Sequence, residues 1–254
     1  MKIDDVTIFN QKILQMKKLV NYTRVAARKI KRALFRSEDI YSLNSLQSLL
    51  INYPYLPISI FALRPLVINM ILNEIIINNR QFILEFGSGI STLLIARLIK
   101  RNQLSTRLIS VEHDANWCHL IQAQLRTEDA PNNVQIIHAP LLPCDISWGK
   151  LEWFNPESLK SFDDFDMIII DGPPACNENL QFSRYPALPF IWDKLKPEFV
   201  VILDDANRYG ERKIIAQWEK LYSLKFQVVG DSIAIAYRGK HYFSSPQLID
   251  TPSW

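Results

Sequence analysis

From Gln81 onward the chain alternates short apolar runs with longer stretches of helical period. Phe82–Phe86 (FILEF), Leu108–Val111 (LISV), Val134–Ile137 (VQII), Met167–Ile170 (MIII) and Phe199–Leu203 (FVVIL) lack the in-out alternation of a half-exposed strand. They read as five strands covered on both faces. Ser91–Lys100 and Ala115–Leu125 carry helical spacing between them. Strand and helix in alternation imply right-handed crossovers and an α/β, doubly wound parallel sheet. Leu224–Val229 and Ile233–Tyr237 flank Gly230-Asp231, a hairpin signal that adds an antiparallel pair. Upstream, the prolines between Tyr53 and Pro65 break regular structure, and Leu66–Ile77 reads as a buried helix. At the start, Ile13, Met16, Leu19 and Val20, then Ala26, Ala27, Ile30, Ala33 and Leu34, recur at helical spacing. They predict one or two amphipathic helices ending near Ser37.

Charge divides the chain at the same place. The 254 residues carry a formal net charge of +3, but residues 1–36 hold ten Lys/Arg and only Asp4 and Asp5, a balance of +8 that leaves −5 for the rest. The expected organisation is therefore a basic helical extension over 1–60 and one domain over 61–254. The extension reads either as a helix packed on the domain with a solvated basic face, or as a helix lying on anionic lipid or a polyanion. The acidic body argues against nucleic acid as a partner. With 48% apolar and 22% charged residues the composition is that of a globular protein, not a disordered chain. The most apolar stretch, 56–77, is interrupted by Pro57, Arg64, Pro65, Asn69, Asn73 and Glu74 and is a poor membrane span. Cys118, Cys144 and Cys176 are odd in number and form no CxxC, so they predict free, buried thiols rather than disulfides or zinc. The expected location is the cytoplasm, with peripheral membrane contact through residues 1–36 as the second option.

The first candidate chemistry follows the first strand: Glu85-Phe86-Gly87-Ser88-Gly89-Ile90-Ser91-Thr92, running into a helix. Glycines at 87 and 89 let the backbone turn tightly and approach a ligand. Ser91 or Thr92 can cap the helix whose positive end faces that ligand. Glu112 ends the second strand, 25 positions beyond Gly87, where a ribose diol would be held. A dinucleotide needs a third glycine where Thr92 stands, so its pyrophosphate is disfavoured. S-adenosyl-L-methionine has no pyrophosphate and suits the loop better.

With FILEFGSGIST, VEHD at Glu112–Asp114, FDMIIIDGPP at Phe165–Pro174 and FVVILDDANR at Phe199–Arg208, residues 81 to about 237 resemble the class I S-adenosylmethionine-dependent methyltransferases. The resemblance implies a Rossmann-like seven-stranded sheet of order 3-2-1-4-5-7-6 with the last-inserted strand antiparallel. It implies that Glu85, Gly87 and Gly89 form the methionine-side loop, with Ser88 or Ser91 near the carboxylate. Glu112 would take the ribose hydroxyls, and His113 and His138 would lie near the adenine. Ala139 and Pro140 stand where the family often has an acidic residue.

Asp171, Asp204 and Asp205 fall at the carboxyl ends of the fourth and fifth strands, the rim where open parallel sheets place their sites. Three carboxylates converging there call for a raised pKa or for a divalent cation such as Mg2+. Similar triplets bind metal in the sugar and catechol-type O-methyltransferases that the chain resembles. Pro173 replaces the acidic residue expected to act as base, which leaves Asp171 or Asp204 for that role; the alternative reading of Asp204 or Asp205 is a cap on the next helix. Arg184 and Tyr185, and Arg208, follow these strands and could reach an acceptor, Arg being a good clamp for an anion; a surface Arg paired with a local acid is the plain alternative. Trp148, Trp153 and Phe154 read as an apolar or sugar-stacking wall, or as core. The function implied is O-methylation of a hydroxyl on a sugar, polysaccharide or small metabolite. A nicotinamide-dependent oxidoreductase and a non-catalytic nucleotide-binding or membrane-associated adaptor are the alternatives.

Overall fold

A computed structural model describes residues 37–56, 58–59, 61–146, 148–230 and 232–246. The helices expected in the basic leader lie outside the described residues. Residues 37–46 are helical (α1), and α2 spans Pro65–Ile77 with its proline in the first turn, where a missing N–H costs nothing. The sheet then alternates with helices: β1 Phe82–Phe86, α3 Ile90–Arg101, β2 Arg107–Glu112, α4 Ala115–Thr127 and β3 Val134–His138. A two-stranded excursion follows, β4 Leu141–Ile146 and β5 Gly149–Phe154. The main sheet resumes with β6 Phe165–Ile170, α5 Ala187–Ile191, β7 Leu195–Leu203, α6 Tyr209–Tyr222, β8 Gln227–Val229 and β9 Ile233–Arg238.

Seven strands form the sheet, in the order β3-β2-β1-β6-β7-β9-β8. Counting only these seven, the order is 3-2-1-4-5-7-6, and β9 alone runs against its neighbours β7 and β8. Sheet order and reversed strand therefore agree with the sequence reading. The continuous apolar runs are explained by burial on both faces: every residue of β1 and β6 is buried. Alternate strand residues feed two cores. Ile83, Met167, Ile169, Val200 and Ile202 pack under α2, α3 and α4. Leu84, Phe86, Ile168, Ile170 and Val201 pack under α5, α6 and the aromatic residues Trp153 and Phe154.

The β4–β5 hairpin is not foreshadowed by the sequence pattern. It pairs Leu141 with Phe154 through Ile146 with Gly149 and shares no strand pairing with the main sheet. Trp148, in its turn, stacks on Tyr185 at 4.4 Å and meets the edge of Phe182 at 5.1 Å. Of the aromatic residues expected to form a wall or core, Trp153 and Phe154 are core and Trp148 is half-buried. The three cysteines are free, with Cys118 buried, Cys144 half-buried and Cys176, contrary to expectation, exposed. Among the described residues no helix is long and apolar enough to cross a membrane.

Segment 47–54 is tied to the domain by Arg97 of α3. Its guanidinium donates to Leu49 O and Pro54 O and pairs with both oxygens of Glu128 at 2.7 and 2.6 Å. Both side chains of that pair are almost fully buried.

Candidate active site

The loops leaving the carboxyl ends of β1, β2, β6 and β7 meet at one rim of the sheet. Gly87 adopts φ +93°, which a side chain resists, and a Cβ there would stand 3.1 Å from the Asp171 carbonyl oxygen. The relation is reciprocal, since a Cβ on Gly172 would lie 3.1 Å from Gly87 Cα. The loops after β1 and β6 thus cross with no side chain between them, and Asp171 N donates to Phe86 O. A Cβ on Gly89 would meet nothing within 4 Å. The loop is braced on one side and open on the other, as a cradle for a ligand requires.

Glu85 braces the loop from inside. Its carboxylate is wholly buried and accepts hydrogen bonds from Ser91 Oγ, Thr92 Oγ1 and Ser110 Oγ. Burial pushes its pKa up, against the pull of those three hydroxyls. Thr92 Oγ1 also accepts from Gly89 N at 2.9 Å, and Ser88 Oγ lies 2.9 Å from Ser110 Oγ. Glu112, also buried, clamps the loop to β2: its Oε2 accepts from Ser88 N at 3.0 Å and its Oε1 from Asp114 N at 2.8 Å. His113 Nδ1 stands 2.9 Å from the same Oε1, and this hydrogen bond raises the pKa of His113 against its partial burial. His138 Nε2 contacts His113 O at 3.1 Å, so both histidines stand beside Glu112. Trp117 Nε1 donates to Ser88 O at 2.7 Å. A carboxylate offers about four lone-pair sites, so Glu112 keeps acceptor capacity for a hydroxyl. Glycine cradle, helix N-terminus and acid together fit an adenosyl ligand whose amino-acid end lies at the loop and whose ribose lies at Glu112.

Across the rim, Asp171, Asp204 and Asp205 each bring a carboxylate oxygen within 4.8 Å of the others. Burial, then the charge of Asp204, pushes Asp171 well above the usual carboxylate range, with Arg184 opposing. Burial and Asp205 likewise raise Asp204. Two such carboxyls facing each other share a proton rather than both ionise. Arg184 lies beneath them. Its Nη2 is 3.3 Å from Asp171 Oδ1 and its Nη1 is 3.1 Å from Asp205 Oδ2, while Arg208 Nη1 meets that same Asp205 oxygen at 2.8 Å.

Residues 84–206 match a family described as a methyltransferase domain. This stretch of the chain is a methyltransferase domain, consistent with a class I S-adenosylmethionine-dependent methyltransferase. Among curated proteins none matches it. Solved structures share the methyltransferase's fold at low identity. An S-adenosylhomocysteine-bound methyltransferase from Podospora anserina is 13% identical with a TM-score of 0.55, over 79% of this chain and 88% of that one. A Geobacter sulfurreducens methyltransferase is 14% identical with a TM-score of 0.51, over 70% and 82%. The O-methyltransferase TomG of Streptomyces achromogenes, involved in tomaymycin synthesis and seen with S-adenosylmethionine, is 14% identical with a TM-score of 0.50, over 78% and 90%.

In this methyltransferase, Gly87, Ser88, Gly89, Glu112, His113 and His138 lie together around the loop after β1 and the end of β2. Glu85 and Ser91 stand behind the loop and hold each other. Arg184 and Tyr185 differ from expectation: they are 3% and 1% exposed, and Arg184 turns to protein oxygens rather than toward an acceptor. Its Nε donates to Pro173 O, its Nη1 to Asp204 O and its Nη2 to Asp171 O. Tyr185 is buried under Trp148. Arg208 remains partly exposed beside Asp205. The cation anticipated among Asp171, Asp204 and Asp205 meets Arg184 already paired with Asp171 and Asp205, and Arg208 already paired with Asp205. Neither Asp204 nor Asp205 is an N-cap, since α6 begins after Arg208.

Sequence reasoning missed Ser110, Trp117, Gly172 and Glu211, and registered Thr92 as a candidate cap and an absent glycine but not as a partner of Glu85. Ser110 carried a signal, being the one hydroxyl inside LISV. Glu211 is fully buried in the first turn of α6, and burial pushes its pKa to about 7 against the pull of Arg184.

Proposed function

We propose that this methyltransferase acts on a hydroxyl oxygen of a small molecule or glycan, with the Asp171–Asp204 pair accepting the hydroxyl proton. The observation that carries this reading is the crossing of Gly87 with Asp171 and Gly172, which sets a proton-sharing carboxyl pair against the cofactor loop. S-adenosylmethionine, when bound, supplies a methyl carbon activated by its sulfonium. The chain's part is to hold acceptor and cofactor in line and to remove a proton from an oxygen as it becomes a nucleophile. A carboxyl pair with raised affinity for protons is a stronger base than an ordinary carboxylate, which suits a weakly acidic hydroxyl. The likeness in fold to TomG supports oxygen as the acceptor atom.

The test is transfer of labelled methyl from S-adenosylmethionine to a panel of catechols, free sugars, uronic acids and polysaccharides. Label in a base-stable ether is the expected result; label appearing only as base-labile ester, or on nitrogen, would overturn the reading. With the acceptor so found, Asp204→Asn should lower kcat by about 10²–10⁴-fold and leave S-adenosylhomocysteine binding unchanged. Wild-type kcat should rise with pH above the usual carboxylate range, as the pair gives up its shared proton.

On the cofactor side, Glu112→Ala removes the clamp between β2 and the loop together with the acceptor for the ribose. Calorimetry should show S-adenosylhomocysteine binding weakened by on the order of 100-fold, as for loss of a charged hydrogen-bond partner. Affinity within a few-fold of wild type would contradict the assignment.

A further inference from the structure

The acid cluster is neutralised from within the protein. Arg184 follows β6 in a segment whose Ser183 Oγ donates to Pro174 O, and its side chain is 4% exposed. It touches Asp171 at the end of β6, Asp205 after β7 and, on its far side, Glu211 of α6, whose Oε1 lies 3.9 Å from Nη1. Both Glu211 oxygens are buried without a hydrogen-bond partner, so Arg184 is the nearest charge that balances them. One guanidinium therefore serves three carboxylates from three separate elements. Its planar fork spans two acids at once, which a point charge does not. A divalent cation would need oxygens from the same Asp171 and Asp205 carboxylates at about 2.0–2.6 Å, next to a buried positive charge that has nowhere to retreat.

We propose that Arg184 takes the place a divalent cation would fill: it is a positioning residue that holds Asp171 and Asp205 at the acceptor rim and keeps a cation out of the cluster. Among the described residues Asp204 has no ion pair, so within the Asp171–Asp204 pair it is the member whose carboxylate no guanidinium holds. The inference rests on the reading that this rim is the acceptor side.

The experiment titrates Mn2+ into chelator-treated, full-length protein, following free Mn2+ by electron paramagnetic resonance. S-adenosylhomocysteine binding serves as the control for folding. Wild type should show no saturable binding below about 1 mM, the weak end for carboxylate sites. Arg184→Ser, which removes the guanidinium shared by Asp171, Asp205 and Glu211 and leaves only Arg208 on Asp205, should bind Mn2+ at least tenfold more tightly. Arg184→Lys, which keeps the charge, should stay as resistant to Mn2+ as wild type. Saturable micromolar binding by wild type overturns the proposal, and so does an Arg184→Ser protein that holds S-adenosylhomocysteine but gains no Mn2+ affinity. Should that variant fail to fold, Arg184→Ser/Glu211→Gln, which also removes the stranded Glu211 charge, carries the same comparison. The Mn2+ signal does not depend on which acceptor is methylated, so a failed acceptor panel and a failed Arg184 assignment are distinguishable.

Discussion

Gly210→Ala should destabilise the protein by on the order of 3 kcal/mol or more, visible as a fall of roughly 10 °C in the midpoint of thermal unfolding. The size follows from what the new methyl would strike. A Cβ at position 210 would lie 1.8 Å from the Gln181 carbonyl oxygen and 2.7 Å from its carbon, and neither is the end of a flexible side chain. Relief requires that segment 181–186 move away from the first turn of α6. That segment carries Arg184, and the turn carries Glu211, so the same displacement should loosen the carboxylates at the acceptor rim. Methyl transfer is then expected to fall further than S-adenosylhomocysteine affinity, because the loop around Gly87 and Glu112 is built from other elements. A Gly210→Ala protein as stable as wild type would show that helix and segment are not in fixed contact.

Arg97→Met should cost about 3–5 kcal/mol in urea unfolding, the range for removing one partner of a buried ion pair. Glu128 would keep its charge with its side chain 3% exposed and no guanidinium to meet it. Leu49 O and Pro54 O would lose their donor at the same time, releasing segment 47–54 from α3. Arg97→Met/Glu128→Leu should recover much of the loss, since the damage comes chiefly from the stranded acid. A single variant within about 1 kcal/mol of wild type would mean that Glu128 finds water or another cation.

What could be read from the sequence and what could not divides along physical lines. FILEF and MIII advertise strands because burial on both faces removes all need for polar residues, and no helix of that length competes. Leu141–Ile146 and Gly149–Phe154 hide their pairing: Pro143 sits within the first strand, and Asp145, Lys150 and Glu152 are exposed. A two-stranded ribbon consists of edges, and edges tolerate both proline and charge. The start of β7 is hidden likewise, because Lys196-Pro197-Glu198 opens a strand whose later half is apolar. At the site, the glycines and Glu112 stood out because their spacing along one strand–turn–helix–strand unit brings the loop after β1 beside the end of β2. Arg184 was not. Its partners at 171, 205 and 211 come from distant parts of the chain, and nothing local tells a buried arginine from an exposed one.

The β4–β5 hairpin has an evolutionary corollary. It is inserted after the three strands that carry the cofactor loop and before the two that carry the acid rim, and it lends no hydrogen bond to the main sheet. On the proposed function its turn borders the acceptor side, through Trp148 leaning on Phe182 and Tyr185. Lengthening or replacing its tip changes what borders the acceptor while every strand pairing of the main sheet survives. Descendants of this chain can therefore change substrate by exchanging a ribbon, with the cofactor half inherited untouched.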